Sequence, residues 1–96
     1  MSEPFGIIDQ TAARRWELRV DGELAGLLNY RVSDDRISFV HIEIYPRFEG
    51  RGYANALTRA ALDATIGRGL AIDPQCPFVR EFVHEHPEYQ AHLAGA

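Results

Sequence analysis

An apolar strand that runs through a glycine loop straight into a helix is the feature that most constrains how this chain folds. The segment reads Ile42-Glu-Ile-Tyr-Pro-Arg-Phe-Glu-Gly-Arg-Gly-Tyr-Ala-Asn-Ala-Leu57. Its strand stops at Pro46, and the helix is expected to start between Arg51 and Asn55 without a spacer. The first turn of a helix offers unpaired N–H groups and a positive dipole end. The layout therefore predicts an anion-binding loop.

Two glycines and two arginines give this loop the composition of a phosphate site. Gly50 and Gly52 lack the Cβ atoms that keep a phosphate away from backbone N–H groups, and they tolerate the positive φ of a tight turn. Arg47 and Arg51 add mobile positive charge. An alternative interpretation stays open, because short glycine patterns are common by chance. In it, the glycines serve turn geometry alone and the arginines are solvated.

Length and charge limit the classes of function. With 96 residues, the chain is expected to form a single domain over positions 1–96. A net charge of −4 without a basic stripe argues against nucleic-acid binding. One cysteine excludes an internal disulfide, and the start Met-Ser-Glu-Pro carries no leader signal, so a cytoplasmic protein is expected. No apolar run approaches the ~20 residues that span a bilayer, so no membrane partner is expected.

Hydrophobic alternation predicts the strands of an α/β (α+β) fold with a mixed sheet. Four strands in an antiparallel meander are predicted at positions 5–9, 15–20, 24–32 and 37–45. Asp21-Gly22 marks a hairpin turn, and Gly26 suggests a bulge. In the last of these strands, one face is assigned Val40, Ile42 and Ile44, and the other Ile37, Phe39, His41, Glu43 and Tyr45. Apolar residues on both faces predict an interior strand, with His41 and Glu43 together near the glycine loop.

The second half of the chain has helical periodicity. A helix over 54–66 leads to a short strand at 70–72, which makes a strand-helix-strand crossover. A C-terminal helix starts at Pro77, with Cys76 as its N-cap, and stops near His86. Residues 88–96 are expected to dock loosely, through Tyr89 and Leu93.

This order of elements, with the loop Glu49-Gly-Arg-Gly-Tyr-Ala54, resembles the GNAT superfamily of acetyl-CoA-dependent N-acetyltransferases. The superfamily's signature loop, (Q/R)-x-x-G-x-(G/A), holds the CoA pyrophosphate on backbone amides. Aligned on Pro46, Gly50 to Ala54 covers the glycine part, and the Gln/Arg position falls on Glu49, which is a departure. A shifted frame that starts at Arg47 also satisfies the pattern.

Four separated matches make the resemblance more specific than the loop alone. They are His41-Ile-Glu43, Gly50–Ala54, Cys76-Pro-Phe-Val79 and His86-Pro-Glu-Tyr89, and together they resemble the minimal YjdJ-type members of the superfamily. The resemblance implies acetyl-CoA or coenzyme A as cofactor. The implied cofactor contacts are Ile44, Tyr45, Arg47, Gly50, Arg51, Gly52, Tyr53, Ala54, Asn55, Cys76, Pro77 and Phe78. Larger GNAT enzymes carry a helical segment after the first strand, whereas only 10–14 lies there in this chain. The acceptor site is therefore expected to be open, or completed by a homodimer or a protein partner.

Acetyl transfer to an amine needs a neutral nitrogen, a polarised thioester carbonyl and a proton for the departing thiolate. Glu43 is the leading general-base candidate, and His41 is the alternative base or a relay partner. Each also has a structural interpretation, as an arginine-paired strand carboxylate and as a hydrogen-bonded, partly buried histidine. Tyr89 is either a proton donor to the thiolate or an anchor of the tail.

Cys76 has its own physical argument. A thiol at a helix N-cap lies in a field that favours the thiolate, so Cys76 is a candidate acetyl-accepting nucleophile or part of the pantetheine path. An inert small hydrophobic residue is the alternative. His84, His86 and His92 do not share a helix face with Cys76 at ligand spacing, so no metal site is expected.

The predicted function is an N-acetyltransferase that binds acetyl-CoA through the loop Gly50–Asn55 and acetylates an amine that the sequence does not identify. The alternative is a non-catalytic acyl-CoA-binding or protein-interaction module that retains the cleft. Glu49 and the short segment at 10–14 favour the alternative. The expected convergence of His41, Glu43 and Cys76 on one end of the sheet favours the enzyme.

Overall fold

A five-stranded mixed sheet forms one layer of the computed structural model, which describes residues 4–95. The strands are β1 (Phe5–Gln10), β2 (Arg15–Val20), β3 (Glu23–Val32), β4 (Arg36–Ile44) and β5 (Ala71–Pro74). The α-helices are α1 (Tyr53–Gly67) and α2 (Pro77–Glu85), and short 3-10 helices lie at Thr11–Ala13, Pro46–Phe48 and Pro87–His92. The prediction that the start Met-Ser-Glu-Pro carries no leader signal concerns residues 1–4, and residues 1–3 lie outside the described residues.

The strand order is β1-β2-β3-β4-β5, with antiparallel pairing up to β4 and parallel pairing between β4 and β5. The predicted meander and crossover are thus confirmed, with α1 as the connection between the two parallel strands. The hairpin between β2 and β3 turns at Asp21 and Gly22, whose φ values of 50° and 82° are those of a type I′ turn.

A bulge in β4 corrects the predicted faces of that strand. Asn29 pairs with His41 but Tyr30 pairs with Phe39, so Val40 is an extra residue in the ladder. One extra residue reverses the phase of the alternation. As a result, Ile37 and Phe39 lie on the core side, as do Ile42 and Ile44 beyond the bulge. The prediction that Ile37 and Phe39 share a face with His41 and Glu43 was wrong.

A second register shift lies in β3, next to the glycine that suggested it. Leu18 pairs with Gly26 and Arg19 with Leu24, which leaves Ala25 as the extra residue. A Cβ atom on Gly26 would clash with the side chain of Ile44 and lie 2.9 Å from the carbonyl oxygen of Glu43. Only glycine allows this close approach of β3 to the end of β4.

Both helices pack on one face of the sheet. Leu57, Ala61 and Leu62 of α1 form one core with Val79, Phe82 and Val83 of α2 and with Leu18, Leu28, Phe39 and Ile72 of the strands. The opposite face, called here the open face, carries Arg15, Glu17, Arg19, Leu27, Asn29, His41 and Glu43. Between β1 and β2 there is only the 3-10 turn Thr11–Ala13, so the expected lack of a helical segment there is confirmed.

The C-terminal segment is more ordered than a loose tail. After α2 ends, the 3-10 helix Pro87–His92 brings Tyr89 into the core, and Leu93 bridges to Ile72 of β5. Tyr89 and Leu93 are therefore the anchors that the sequence indicated. Ala96 lies outside the described residues.

Candidate cofactor and catalytic site

The glycine loop has the geometry of an anion cradle. Gly50 and Gly52 both have φ of 78°, and Gly52 is the N-cap of α1. The first intrahelical bond runs from the N–H of Ala56 to the carbonyl of Gly52, so the N–H groups of residues 53–55 precede the helix ladder. A Cβ built on either glycine would meet nothing within 4 Å. The glycines are thus required by backbone conformation, and the space in front of them is open.

A cleft of about 190 Å³ lies at this loop. It brings together seven of the predicted cofactor contacts, and Phe48 and Glu49 also line it. The seven are Ile44, Gly50, Gly52, Tyr53, Ala54, Asn55 and Phe78. The ring of Tyr53 is buried against Phe5, with ring centroids 5.3 Å apart, so Tyr53 offers the cleft its backbone rather than its hydroxyl.

The two loop arginines lie beside the ring of Phe48. The guanidinium carbons of Arg47 and Arg51 are 4.7 and 5.7 Å from its centroid. Arg47 also donates to the carboxylate of Glu23 at 2.7 Å, across an exposed pair. Positive charge therefore borders the cleft, where it can offset the carboxylate of Glu49.

The parallel strands separate beside the cleft. β5 pairs with β4 only from Arg36 to Phe39, and the backbone N–H groups of Gln75 and Cys76 then both donate to the carbonyl of Phe39, at 3.0 and 2.8 Å. Beyond this point β4 has β3 on one side and no strand partner on the other among the described residues. The chain thus offers a free strand edge over 40–44, next to the start of α2.

Tyr45 at the end of this edge is already engaged. Its N–H donates to the carbonyl of Ala25 at 2.9 Å, and its own carbonyl accepts from the N–H of Phe48 at 2.8 Å. A backbone contact from Tyr45 to a ligand would use the second lone pair of that carbonyl.

His41 and Glu43 lie together on the open face. Nε2 of His41 is 3.5 Å from Oε1 of Glu43, and the two side chains are 62% and 49% exposed. At that distance the contact is weak, so neither group is held in a fixed orientation by the other. The pair has the chemistry of a solvated base with a neighbouring proton carrier.

Cys76 approaches the opening from the opposite side of the sheet. It is the N-cap of α2, it is buried, and Pro77 follows it at the first helical position, as predicted. Its backbone is bonded to Phe39, four positions before Glu43, which corresponds to roughly 13 Å along an extended strand. Of the four predicted catalytic residues, His41, Glu43 and Cys76 therefore lie around the point where β4 and β5 separate, but the thiol lies on the core side and the other two lie on the open face.

Tyr89 is a buried anchor between α1 and the C-terminal segment. Its hydroxyl donates to Oδ1 of Asp63 at 2.7 Å and accepts from Nη1 of Arg59 at 3.1 Å. Burial raises the pKa of Tyr89, and the hydrogen bond to Asp63 raises it further, to about 12. Its side chain is 2% exposed, so the hydroxyl is neutral and enclosed.

A buried carboxylate on the open face, Glu17, was not identified by sequence reasoning. Arg15 and Arg19 donate to it at 2.7 and 2.9 Å and cover it, leaving it 2% exposed. Desolvation raises the pKa of Glu17, but the two arginines outweigh that effect and lower it below the ordinary value. Glu17 aligns across Leu27 with Glu43, so this ion cluster is part of the surface beside the candidate base. The available signal was the Arg-x-Glu-x-Arg spacing.

Sequence comparison connects the chain with a known family. The sequence profile of the family described as GCN5-related N-acetyl-transferase matches residues 15–93. Among curated proteins, Protein NATD1 of Gallus gallus is 29% identical over 105 residues, covering 96% of each chain. Protein NATD1 of Xenopus tropicalis is 30% identical over 76 residues, covering 77% of this chain and 70% of that protein.

Solved structures share the fold at low sequence identity. A GCN5-like protein from Staphylococcus aureus, solved by NMR, has a TM-score of 0.72 at 19% identity and covers 100% of this chain and 93% of its own. An N-acetylglutamate synthase from Neisseria gonorrhoeae, solved with coenzyme A and N-acetyl-glutamate, has a TM-score of 0.61 at 20% identity and covers 75% of this chain and 18% of its own. The GNAT fold expected from the resemblance is confirmed. None of the helices in residues 4–95 is long and apolar enough to cross a membrane.

Proposed function

We propose that this chain, which belongs to the family of GCN5-related N-acetyltransferases, binds acetyl-CoA and transfers its acetyl group to an amine. One observation carries the proposal. Two glycines at positive φ lead directly into α1, and the N–H groups that precede the helix ladder meet a cleft of about 190 Å³. A pyrophosphate fits this arrangement because the space that a Cβ would fill is vacant and the helix dipole favours negative charge.

The free edge of β4 supports the placement of the remaining cofactor. An extended pantetheine arm can pair with the backbone over 40–44 as an added strand would, since β5 has already separated there. Phe78 lines the cleft from the start of α2, and Cys76 and Pro77 precede it in the chain. Arg47 and Arg51 would neutralise phosphate charge at the other end of the cofactor. Acetyl-CoA supplies an acyl group activated as a thioester, and the chain supplies orientation and proton transfer.

Glu43 is proposed as the general base. The amine acceptor arrives protonated at neutral pH and must lose a proton before it can attack. The carboxylate of Glu43 lies on the solvated face beside the free edge, where it can take that proton directly or through water. His41, 3.5 Å away, can carry the proton onward to solvent. The acceptor then approaches over the open face, which strand residues form in the described part of the chain.

Cys76 supports a second route to the same products. Its thiolate would attack the thioester carbonyl, a carbon–sulfur bond to Cys76 would form as the bond to CoA breaks, and the CoA thiolate would take up a proton. The amine would then attack the acetyl-cysteine and release the thiol. The N-cap position favours this chemistry, whereas burial of the side chain limits access to it. Tyr89 is left out of both routes, because its enclosed hydroxyl already donates to Asp63.

A non-catalytic acyl-CoA-binding module is the second candidate. Its specific support is Glu49, which lines the cleft where the family pattern has Gln or Arg, together with the high exposure of His41 and Glu43. Such a module would bind the cofactor with the same loop and leave the acetyl group in place.

Isothermal titration calorimetry with acetyl-CoA and with CoA tests the cofactor site. Absence of binding at about 1 mM of either ligand would refute both candidates. An acetylation assay with an amine panel then separates them, and Glu43→Gln is expected to lower kcat about 100-fold while cofactor affinity stays within about twofold. Intact mass spectrometry detects an adduct of about 42 Da if the Cys76 route operates, and Cys76→Ala must abolish it.

A further inference from the structure

The outer edge of β1 has no strand partner among residues 4–95. β1 lies at the end of the sheet opposite β5, and it pairs with β2 without any register shift. Natural edge strands are protected by charged side chains, prolines, bulges or covering elements. Phe5–Gln10 contains no lysine, proline or bulge, and its one charged residue, Asp9, accepts a hydrogen bond from Tyr30 of its own chain. Its large side chains Phe5 and Ile8 are 46% and 45% exposed. This edge therefore has the properties of a pairing surface.

The ladder defines which backbone groups face outwards. The N–H of Tyr30 in β3 donates to the carbonyl of Arg14, so even-numbered positions along β2 bond to β3. Odd-numbered positions of β2 consequently face β1, where their partners are Gly6, Ile8 and Gln10. The backbone N–H and C=O groups of the remaining positions, Phe5, Ile7 and Asp9, point away from the sheet.

We propose that β1 pairs antiparallel with β1 of a second copy of this chain, about a two-fold axis at Ile7. In this register Ile7 faces Ile7 of the second copy, and Phe5 of each copy faces Asp9 of the other. All three outward-facing residues of each copy are then hydrogen-bonded, and each such residue pair exchanges two hydrogen bonds. Shifting the register by two residues leaves one of these residues of each copy without a partner within β1, so this register pairs the most backbone groups of the strand.

The side chains fit the same register. On the open face Ile8 lies opposite Gly6 of the second copy, where a Cβ would meet nothing within 4 Å, so the exposed Ile8 gains an apolar contact without a clash. Asp9 already accepts a hydrogen bond from Tyr30 of its own chain at 2.5 Å. The two Asp9 residues are four positions apart in the pairing, roughly 13 Å, so like charges do not oppose each other. The edge is thus self-complementary in shape and hydrogen bonding, and the pairing brings no like charges together.

The dimer would join two sheets into one and leave the candidate catalytic pair of each copy uncovered. β1 and β4 are separated by three strand spacings, roughly 14 Å, so His41 and Glu43 stay accessible. Dimerisation and acetyl transfer are therefore expected to be independent. This distinguishes the pairing from an assembly in which a second copy completes the acceptor site.

Sedimentation velocity of the full chain, from about 1 µM to 1 mM, tests the proposal. A concentration-dependent dimer is expected. Ile8→Lys puts two lysines at diagonal positions about 7–8 Å apart across the axis and is expected to raise the dimer Kd at least tenfold. Ile7→Pro removes one outward N–H per copy, spares the bonds to β2, and is expected to have a similar effect. Val32→Lys, at an equally exposed apolar site in β3, is the control and must leave the Kd unchanged.

Disulfide trapping in a Cys76→Ala background tests the register. Ile7→Cys is expected to crosslink to itself, since facing Cα atoms about 5.5 Å apart are within disulfide range. Gln10→Cys is not expected to crosslink, because the Gln10 positions of the two copies lie roughly 20 Å apart along the strands. A chain that stays monomeric, a dimer that both β1 variants leave intact, or equal crosslinking at the two positions would each overturn the proposal. So would an edge that pairs only with a different protein.

Discussion

Replacing Gly52 by alanine separates the two explanations of the glycine loop. Gly52 has φ of 78°, a conformation that costs an L-residue about 1–2 kcal/mol, but an added Cβ would meet no protein atom within 4 Å. The substitution therefore lowers the free energy of unfolding only by the cost of this backbone conformation. A loss of about 1–2 kcal/mol corresponds to a fall in Tm of about 4–16 °C for a domain of this size.

The effect on the cofactor is larger if the loop holds a pyrophosphate. The new methyl group would occupy the space in front of the N–H groups that precede α1 and push the anion away from them. Loss of one charge-assisted hydrogen bond, worth roughly 2 kcal/mol, corresponds to an affinity about 30-fold weaker.

Gly69→Ala provides a matched control outside the site. Gly69 follows α1 with φ of 73°, and a Cβ there also meets nothing within 4 Å, so the stability cost is expected to be the same. Differential scanning calorimetry measures both Tm values, and titration with CoA at a temperature where all variants are folded measures the Kd. If both variants lose stability equally and Gly52→Ala still binds CoA like the wild type, the glycines of the loop serve turn geometry alone.

Three further changes test individual contacts. Glu23→Gln releases Arg47 from its ion pair at 2.7 Å, so CoA is expected to bind about two- to threefold more tightly at low salt, with the gain lost at high salt. The pKa of Glu17 is lowered in the folded chain, so its carboxylate stabilises the fold above about pH 4.5 and this contribution is lost as the pH falls. Glu17→Gln is therefore expected to lower the free energy of unfolding by about 1 kcal/mol at pH 7 and to weaken its dependence on acid pH, as measured by urea titrations. Tyr89→Phe is expected to cost about 1 kcal/mol at neutral pH and leave kcat unchanged. Because the folded pKa of Tyr89, about 12, exceeds the ordinary 10, its contribution is lost as the pH rises from 10 to 12, and the variant should lose less stability over that range.

Local patterns were sufficient for most of the fold. Alternation in Arg15–Val20 and the hairpin turn that follows it set the meander, and Pro77 after Cys76 marked the start of α2 correctly. The faces of β4 were mispredicted for a specific reason. A bulge depends on how two strands pair, and nothing in the isolated run Arg36–Ile44 shows that Val40 lacks a partner.

The site was predictable where its chemistry is local and unpredictable where it depends on distant pairs. The positive φ of Gly50 and Gly52 follows from a tight turn into a helix. The bond from Tyr89 to Asp63 joins residues 26 positions apart, and no periodicity links them. Glu17 illustrates a further limit, since a carboxylate between two arginines on an exposed strand face looks solvated until the covering side chains are placed.

Val40 connects the two halves of the proposed mechanism. Up to Phe39, β4 pairs with β5 and its odd-numbered residues face the core; one residue later, the partner strand is gone and the odd-numbered residues His41 and Glu43 face solvent. Separation of the strands creates the free edge for an extended cofactor, and the change of phase puts the candidate base on the opposite face of that edge. A strand without the bulge would place Glu43 on the side covered by α1, so the extra residue accounts for the position of the candidate base, and the end of β5 accounts for the free edge.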